Sequence, residues 1–92
     1  VLNLSSNRLK EVPNLLFDLV QLQELDLSNN ALKDLPSAVQ RLTVLSELKL
    51  HRNKLAQLPA QLAHCRALVK LDLRSNVLAQ LPPALAQLHL QQ

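Results

Sequence analysis

The residues able to do chemistry are few: histidines at 51, 64 and 89, one cysteine at 65, and acids and bases concentrated between 24 and 74. Ser28, His51 and Asp72 hold the residue types of a nucleophile, a base and an orienting acid, at steps of 23 and 21 residues. Such a relay needs close alignment and a pocket for the developing oxyanion. On neighbouring strands these three meet only along a loose diagonal, and no pocket is implied, so no enzymatic activity is expected. His51, His64 and His89 fall at three different places of the internal repeat described below, so they do not converge on a metal. No metal and no cofactor are expected. Cys65 occupies the position held by Leu19, Leu42 and Leu88, which reads as a small core filler rather than a reactive thiol. Asn3-Leu4-Ser5 fits a glycosylation sequon, but it lies in strand-like sequence. The remaining chemistry is ionic: Glu24, Asp26, Glu47, Lys49, His51, Arg52, Lys70, Asp72 and Arg74 could recognise a partner by charge.

What positions these groups is a repeat. Leu25, Leu48 and Leu71 are 23 residues apart, as are Leu27, Leu50 and Leu73, then Asn30, Asn53 and Asn76, and Pro36, Pro59 and Pro82. Stepping back gives Leu2, Leu4, Asn7, Leu9 and Pro13, with no insertion or deletion. The unit reads L-x-x-L-x-L-x-x-N-x-L-x-x-L-P-x-x-L-x-x-L-x-x, with Val12 in place of the leucine before Pro13. Leu25-x-Leu27 alternates with period two, so both leucines face one side of a strand. One such strand per repeat gives a parallel sheet. The chain then turns at an asparagine, whose side chain bonds neighbouring backbone groups. Asn7, Asn30, Asn53 and Asn76 are expected to stack as a buried ladder. The sequence has no glycine, so its corners must be made by other residues. Proline suits a first helical position, and Leu62 follows Pro59 by three, so the return segment is a short helical, 3₁₀ or extended path.

This pattern resembles the leucine-rich repeat, over the whole chain. The resemblance implies an α/β solenoid: a right-handed coil of four 23-residue repeats, with a parallel sheet on the concave face and short helical, 3₁₀ or extended segments on the convex face. The repeats run about 1–21, 22–44, 45–67 and 68–90, one array expected to be part of a longer one. The 23-residue length and the Leu-Pro step resemble the intracellular signalling subclass, which includes Ras-binding and polarity scaffolds. The resemblance implies a protein-interaction module in intracellular signalling, with a protein partner such as a small GTPase or another signalling protein. The alternative is the sensor or targeting array of a larger enzyme, a kinase, GTPase or ubiquitin ligase, whose catalytic domain lies elsewhere.

Composition narrows the partners. Ten Lys/Arg against seven Asp/Glu leave a charge of only +3. With one Phe and no Tyr or Trp there is no platform on which bases could stack, so nucleic acid is not the expected partner. No apolar run approaches the roughly 18 residues of a membrane span. A single cysteine permits no internal disulfide, which favours a reducing, cytoplasmic setting.

Residues between the core leucines face the concave side, the usual binding face implied by the resemblance. They form rows across the strands: Val1, Glu24, Glu47, Lys70; Asn3, Asp26, Lys49, Asp72; Ser5, Ser28, His51, Arg74; and, at the rim, Ser6, Asn29, Arg52, Ser75. Lys49 then stands between Asp26 and Asp72, and Lys70 beside Glu47. Two readings are open: cross-strand pairs that aid solubility, or a polarised face that orients a partner. Within the second, His51, Arg52 and Arg74 stand out because no acid in their own rows opposes them. On the convex side, Leu15, Phe17 and Val20 read either as an exposed apolar strip or as local packing against a preceding repeat.

Overall fold

The computed structural model describes residues 1–78. The expectations for Pro82, Leu88 and His89 lie outside them. Four short strands, β1 (Leu2–Asn3), β2 (Glu24–Asp26), β3 (Glu47–Lys49) and β4 (Lys70–Asp72), form one sheet in sequence order. All three pairings are parallel, and their register joins Leu2 to Leu25, Leu25 to Leu48 and Leu48 to Leu71. The 23-residue step of the sequence is therefore the register of the sheet. Backbone bonds extend the ladder past the strand ends: the N–H groups of Leu4, Leu27 and Leu50 donate to the carbonyls of Asp26 (2.8 Å), Lys49 (2.9 Å) and Asp72 (2.9 Å).

The return path is 3₁₀ helix: η1 (Asn14–Asp18), η2 (Ser37–Arg41) and η3 (Ala60–His64). The reason lies in the spacing of the apolar positions. Residues 36, 39, 42 and 45 recur every third residue, and a 3₁₀ helix has three residues per turn, so Val39, Leu42 and Leu45 align on one inward face. All three are fully buried. The i to i+3 bonds continue to the next strand: Val39 N–H to the Pro36 carbonyl, Leu42 to Val39 and Leu45 to Leu42. Pro13, Pro36 and Pro59 are not the first helical residue, as expected from the sequence, but the extended residue before it, with ψ of 130, 148 and 142°. There the proline carbonyl accepts the first 3₁₀ bond.

The core runs between sheet and helices, with Leu27, Leu32, Leu48, Leu50, Leu55 and Leu62 all at 0% exposure. Cys65 lies among them at 0%; its Sγ donates to the Val39 carbonyl (3.3 Å), and burial pushes its thiol up to about 11. The thiol is therefore a neutral filler. Stacking does the burying: Leu19 in the first coil is 48% exposed, whereas its equivalents Leu42 and Cys65 are fully covered. Phe17 corrects the exposed-strip expectation. It is 1% exposed and belongs to the core, while Leu15 (81%) and Val20 (43%) remain exposed. An aromatic ring has the largest apolar area to bury, and Phe17 takes the inward slot on η1.

The asparagines tie coil to coil. Asn53 Oδ1 accepts from Leu32 N–H (3.1 Å), while its Nδ2 donates to the carbonyls of Leu27 and Leu50 (both 3.0 Å). Asn30 does the same for Leu9, Leu4 and Leu27, and Asn76 for Leu55, Leu50 and Leu73. Burial of the ladder is graded, not uniform: Asn53 is buried, Asn30 and Asn76 half-buried, Asn7 exposed.

Candidate functional site

Corners without glycine come from Ser6, Asn29, Arg52 and Ser75, with φ of 58, 55, 59 and 59°. These are the four residues of the rim row. The left-handed conformation costs an L-residue roughly 1–2 kcal/mol. It also turns the chain away from the sheet directly beside the concave face, leaving Arg52 exposed. Arg52→Gly is therefore expected to stabilise the chain by about 1 kcal/mol, raising the melting temperature by roughly 4–8 °C. A thermal melt with no rise would show that the arginine side chain contributes as much as the strain removes.

Register sets the concave charges. Glu24 lies opposite Glu47, Glu47 opposite Lys70, and Lys49 between Asp26 and Asp72. Lys70 Nζ is 3.7 Å from Glu47 Oε1. Among the described residues, Lys49, Arg52 and Glu24 make no ion pair. Directly opposed like charges are unfavourable, so the Glu24–Glu47 neighbourhood is a locally negative patch that Lys70 offsets from one side.

The basic cluster at His51, Arg52 and Arg74 is not unopposed, which corrects the reading by rows. Asp72 Oδ1 accepts from the Arg74 backbone N–H (3.2 Å) and Nε (3.0 Å), and Oδ2 from Nη2 (2.8 Å). Oδ2 is also 3.3 Å from His51 Nδ1, a buried nitrogen with no hydrogen-bond partner. The neutralising acid sits two residues back on the same strand, and residues i and i+2 share a face. The Arg74 side-chain hydrogen bond is the largest of the effects that hold the Asp72 carboxyl at about 2, below its ordinary value of 3.8.

A depressed carboxyl stabilises the fold above its unfolded value, and the contribution is lost as pH falls toward the folded value. Asp72→Asn is thus expected to be less stable than wild type well above pH 3.8, with the gap closing as pH approaches 2. Denaturant melts at both pH values check this; a gap that persists at the lower value contradicts it.

The equivalent turn recurs at Asp26, whose Oδ1 accepts from the Ser28 N–H (3.0 Å) and hydroxyl (2.6 Å). Burial alone would raise the Asp26 carboxyl, but the two Ser28 bonds, with Lys49 and His51 nearby, lower it. Asn3 makes the same pair of bonds to Ser5 (2.9 and 2.6 Å). This side-chain turn was not anticipated from the sequence, although its signal is there: Asn or Asp at 3, 26 and 72, the same place of the repeat in three of the four coils. It also buries Ser28 (5% exposed), removing it from the concave surface, and commits its hydroxyl proton to Asp26 rather than to His51. Ser28, His51 and Asp72 therefore form no relay. No group of three metal-ligating side chains occurs among the described residues, and no described helix is long and apolar enough to cross a membrane.

The arrangement is a charged sheet face bordered by a rim of left-handed corners. Comparisons with known proteins bear on the repeat. A family model described as leucine-rich repeats (two copies) matches residues 1–40. A leucine-rich-repeat protein of Leptospira interrogans is 35% identical, with a TM-score of 0.76, over 98% of this chain and 29% of its own. The leucine-rich repeat domain of the type III effector XopL is also 35% identical, with a TM-score of 0.83, over 91% of this chain and 29% of its own. The chain thus spans under a third of the length of either. No curated protein matches it.

Proposed function

The chain is a leucine-rich-repeat protein, and from that premise we propose that it is a scaffold or regulatory interaction module of cytoplasmic signalling. Leucine-rich-repeat domains generally mediate protein–protein contacts. The observation that carries the reading is the concave sheet itself. Its outward residues Glu24, Asp26, Glu47, Lys49, Lys70 and Asp72 are charged, carry both signs and are held at fixed register. A fixed pattern of both signs orients a protein surface, and the interleaved carboxylates disfavour a phosphate backbone. The partner we favour is a protein of mixed surface charge, a small GTPase or another signalling protein.

Area bears on how that partner is held. Four strands of about five residues give roughly 19 by 17 Å, near 300 Å², against about 800 Å² per partner in a standard interface. The partner therefore also grips the rim, or the array continues. The half-exposed Leu19 and the greater length of both structural relatives support a longer array. That same length supports the second reading, a targeting array within a larger enzyme.

The test is partner capture with His51, Arg52 and Arg74 changed together to Glu, against Lys33→Glu outside the concave rows. Loss of capture in the triple variant alone, at a temperature where circular dichroism shows both variants folded, is expected. Equal capture by both variants would place the binding surface elsewhere.

A further inference from the structure

We propose that the corner of the third coil is a carboxylate-binding subsite that receives an acidic side chain of the partner protein. This rests on the concave-face reading above and names the chemistry recognised there. The starting point is a broken pattern. In the first, second and fourth coils a side-chain oxygen, from Asn3, Asp26 or Asp72, accepts the backbone N–H two residues on, at Ser5, Ser28 or Arg74. The third coil has Lys49 in that row. Lysine offers donors and no acceptor, so the N–H of His51 faces a place where every other described coil supplies an oxygen.

What borders the place is donors. Lys49 is half-buried on the concave face, and Arg52 is exposed on the rim with φ of 59°. Neither lies within ion-pair distance of a carboxylate among the described residues. The His51 ring is partly exposed, at 27%. An incoming carboxylate can accept from the His51 N–H as Asp26 does from that of Ser28, with the Lys49 ammonium and the Arg52 guanidinium supplying charge.

The flanking acids decide what kind of anion fits. Asp26 and Asp72 stand in register on either side of Lys49, and Glu24 and Glu47 lie two residues back on their strands. Asp72 is held by Arg74, Asp26 by Ser28, and Glu47 lies beside Lys70. The cations Lys49, Arg52, Lys70 and Arg74 balance the acids Glu24, Asp26, Glu47 and Asp72, four against four, so the positive charge on offer is local to Lys49 and Arg52, which make no ion pair among the described residues. That balance suits a singly charged carboxylate; a doubly charged phosphate would meet repulsion from both sides.

The test uses the 92-residue chain, isotope-labelled for amide spectra, and a capped peptide of alternating Glu and Ser as probe. The amides of His51 and Arg52 are expected to move most. Lys49→Asn supplies the coil with its own neutral acceptor, as Asn3 does for Ser5, and is expected to keep the melting temperature while weakening the peptide by about tenfold or more, the loss of one charge-assisted bond. Arg52→Gln is expected to weaken it as well. Peptide affinity unchanged in Lys49→Asn overturns the proposal, as does inorganic phosphate binding the same amides more tightly than the peptide. Peptide-induced shifts elsewhere on the sheet overturn this assignment and leave the concave-face reading standing. No peptide effect together with partner capture retained by the triple Glu variant brings down both.

Discussion

Asn53→Ala is expected to destabilise the chain by on the order of 3–5 kcal/mol, a large share of the stability of a small domain. The estimate adds about 1–3 kcal/mol for the orphaned N–H of Leu32 to about 1 kcal/mol for each of the bonds lost by the carbonyls of Leu27 and Leu50. Each of those carbonyls keeps a second donor, Asn30 for Leu27 and Asn76 for Leu50. The Leu32 N–H has no such reserve, and it lies in the buried part of the corner. Small domains hold only about 5–15 kcal/mol in all. Asn7→Ala is the control: Asn7 is exposed, and its side chain donates only to the Leu4 carbonyl of its own coil. Denaturant melts are expected to separate the two variants by several-fold. Similar costs for both would mean that the ladder does not derive its strength from burial.

The second large effect concerns Leu50, which is fully buried on the core side of the sheet. Leu50→Ala is expected to cost about 2–5 kcal/mol, combining lost transfer energy with the cavity left behind. The spread reflects how far neighbours can collapse into the hole. Collapse is restricted here, because backbone bonds tie the coils together around it: the Leu27 N–H donates to the Lys49 carbonyl and the Leu50 N–H to the Asp72 carbonyl. Leu19→Ala removes the same atoms from a site already 48% exposed and is expected to cost under about 1 kcal/mol. Equal losses from both, measured by thermal or denaturant unfolding, would contradict a core built by stacking.

How much of this was legible in the sequence depends on the kind of interaction. The 23-residue step survives unchanged as the register Leu2–Leu25–Leu48–Leu71 because an unbroken repeat leaves each strand one neighbour at one offset. The rows followed from that, including Lys49 between Asp26 and Asp72. The error at Arg74 arose from reading across strands and not along them: its acid was Asp72, on its own strand. Phe17 was ambiguous because its equivalents, Gln40 and Ala63, gave no guide to which way that slot faces. The relay of Ser28, His51 and Asp72 failed for a local reason, the short bond from the Ser28 hydroxyl to Asp26.

By itself the sequence determined the coil: its period, its strand side, its asparagine corners and its leucine core, all set by nearest-neighbour patterns that repeat. It also determined that the corners would be made without glycine. Only the tertiary structure decided which residues bear that cost, because backbone strain at Ser6, Asn29, Arg52 and Ser75 arises from closing each turn against the coil beside it. Likewise, only the structure decided which concave charges are already satisfied. Pairing depends on side-chain reach over a few ångströms, and it left Lys49 and Arg52 open while closing Arg74 onto Asp72.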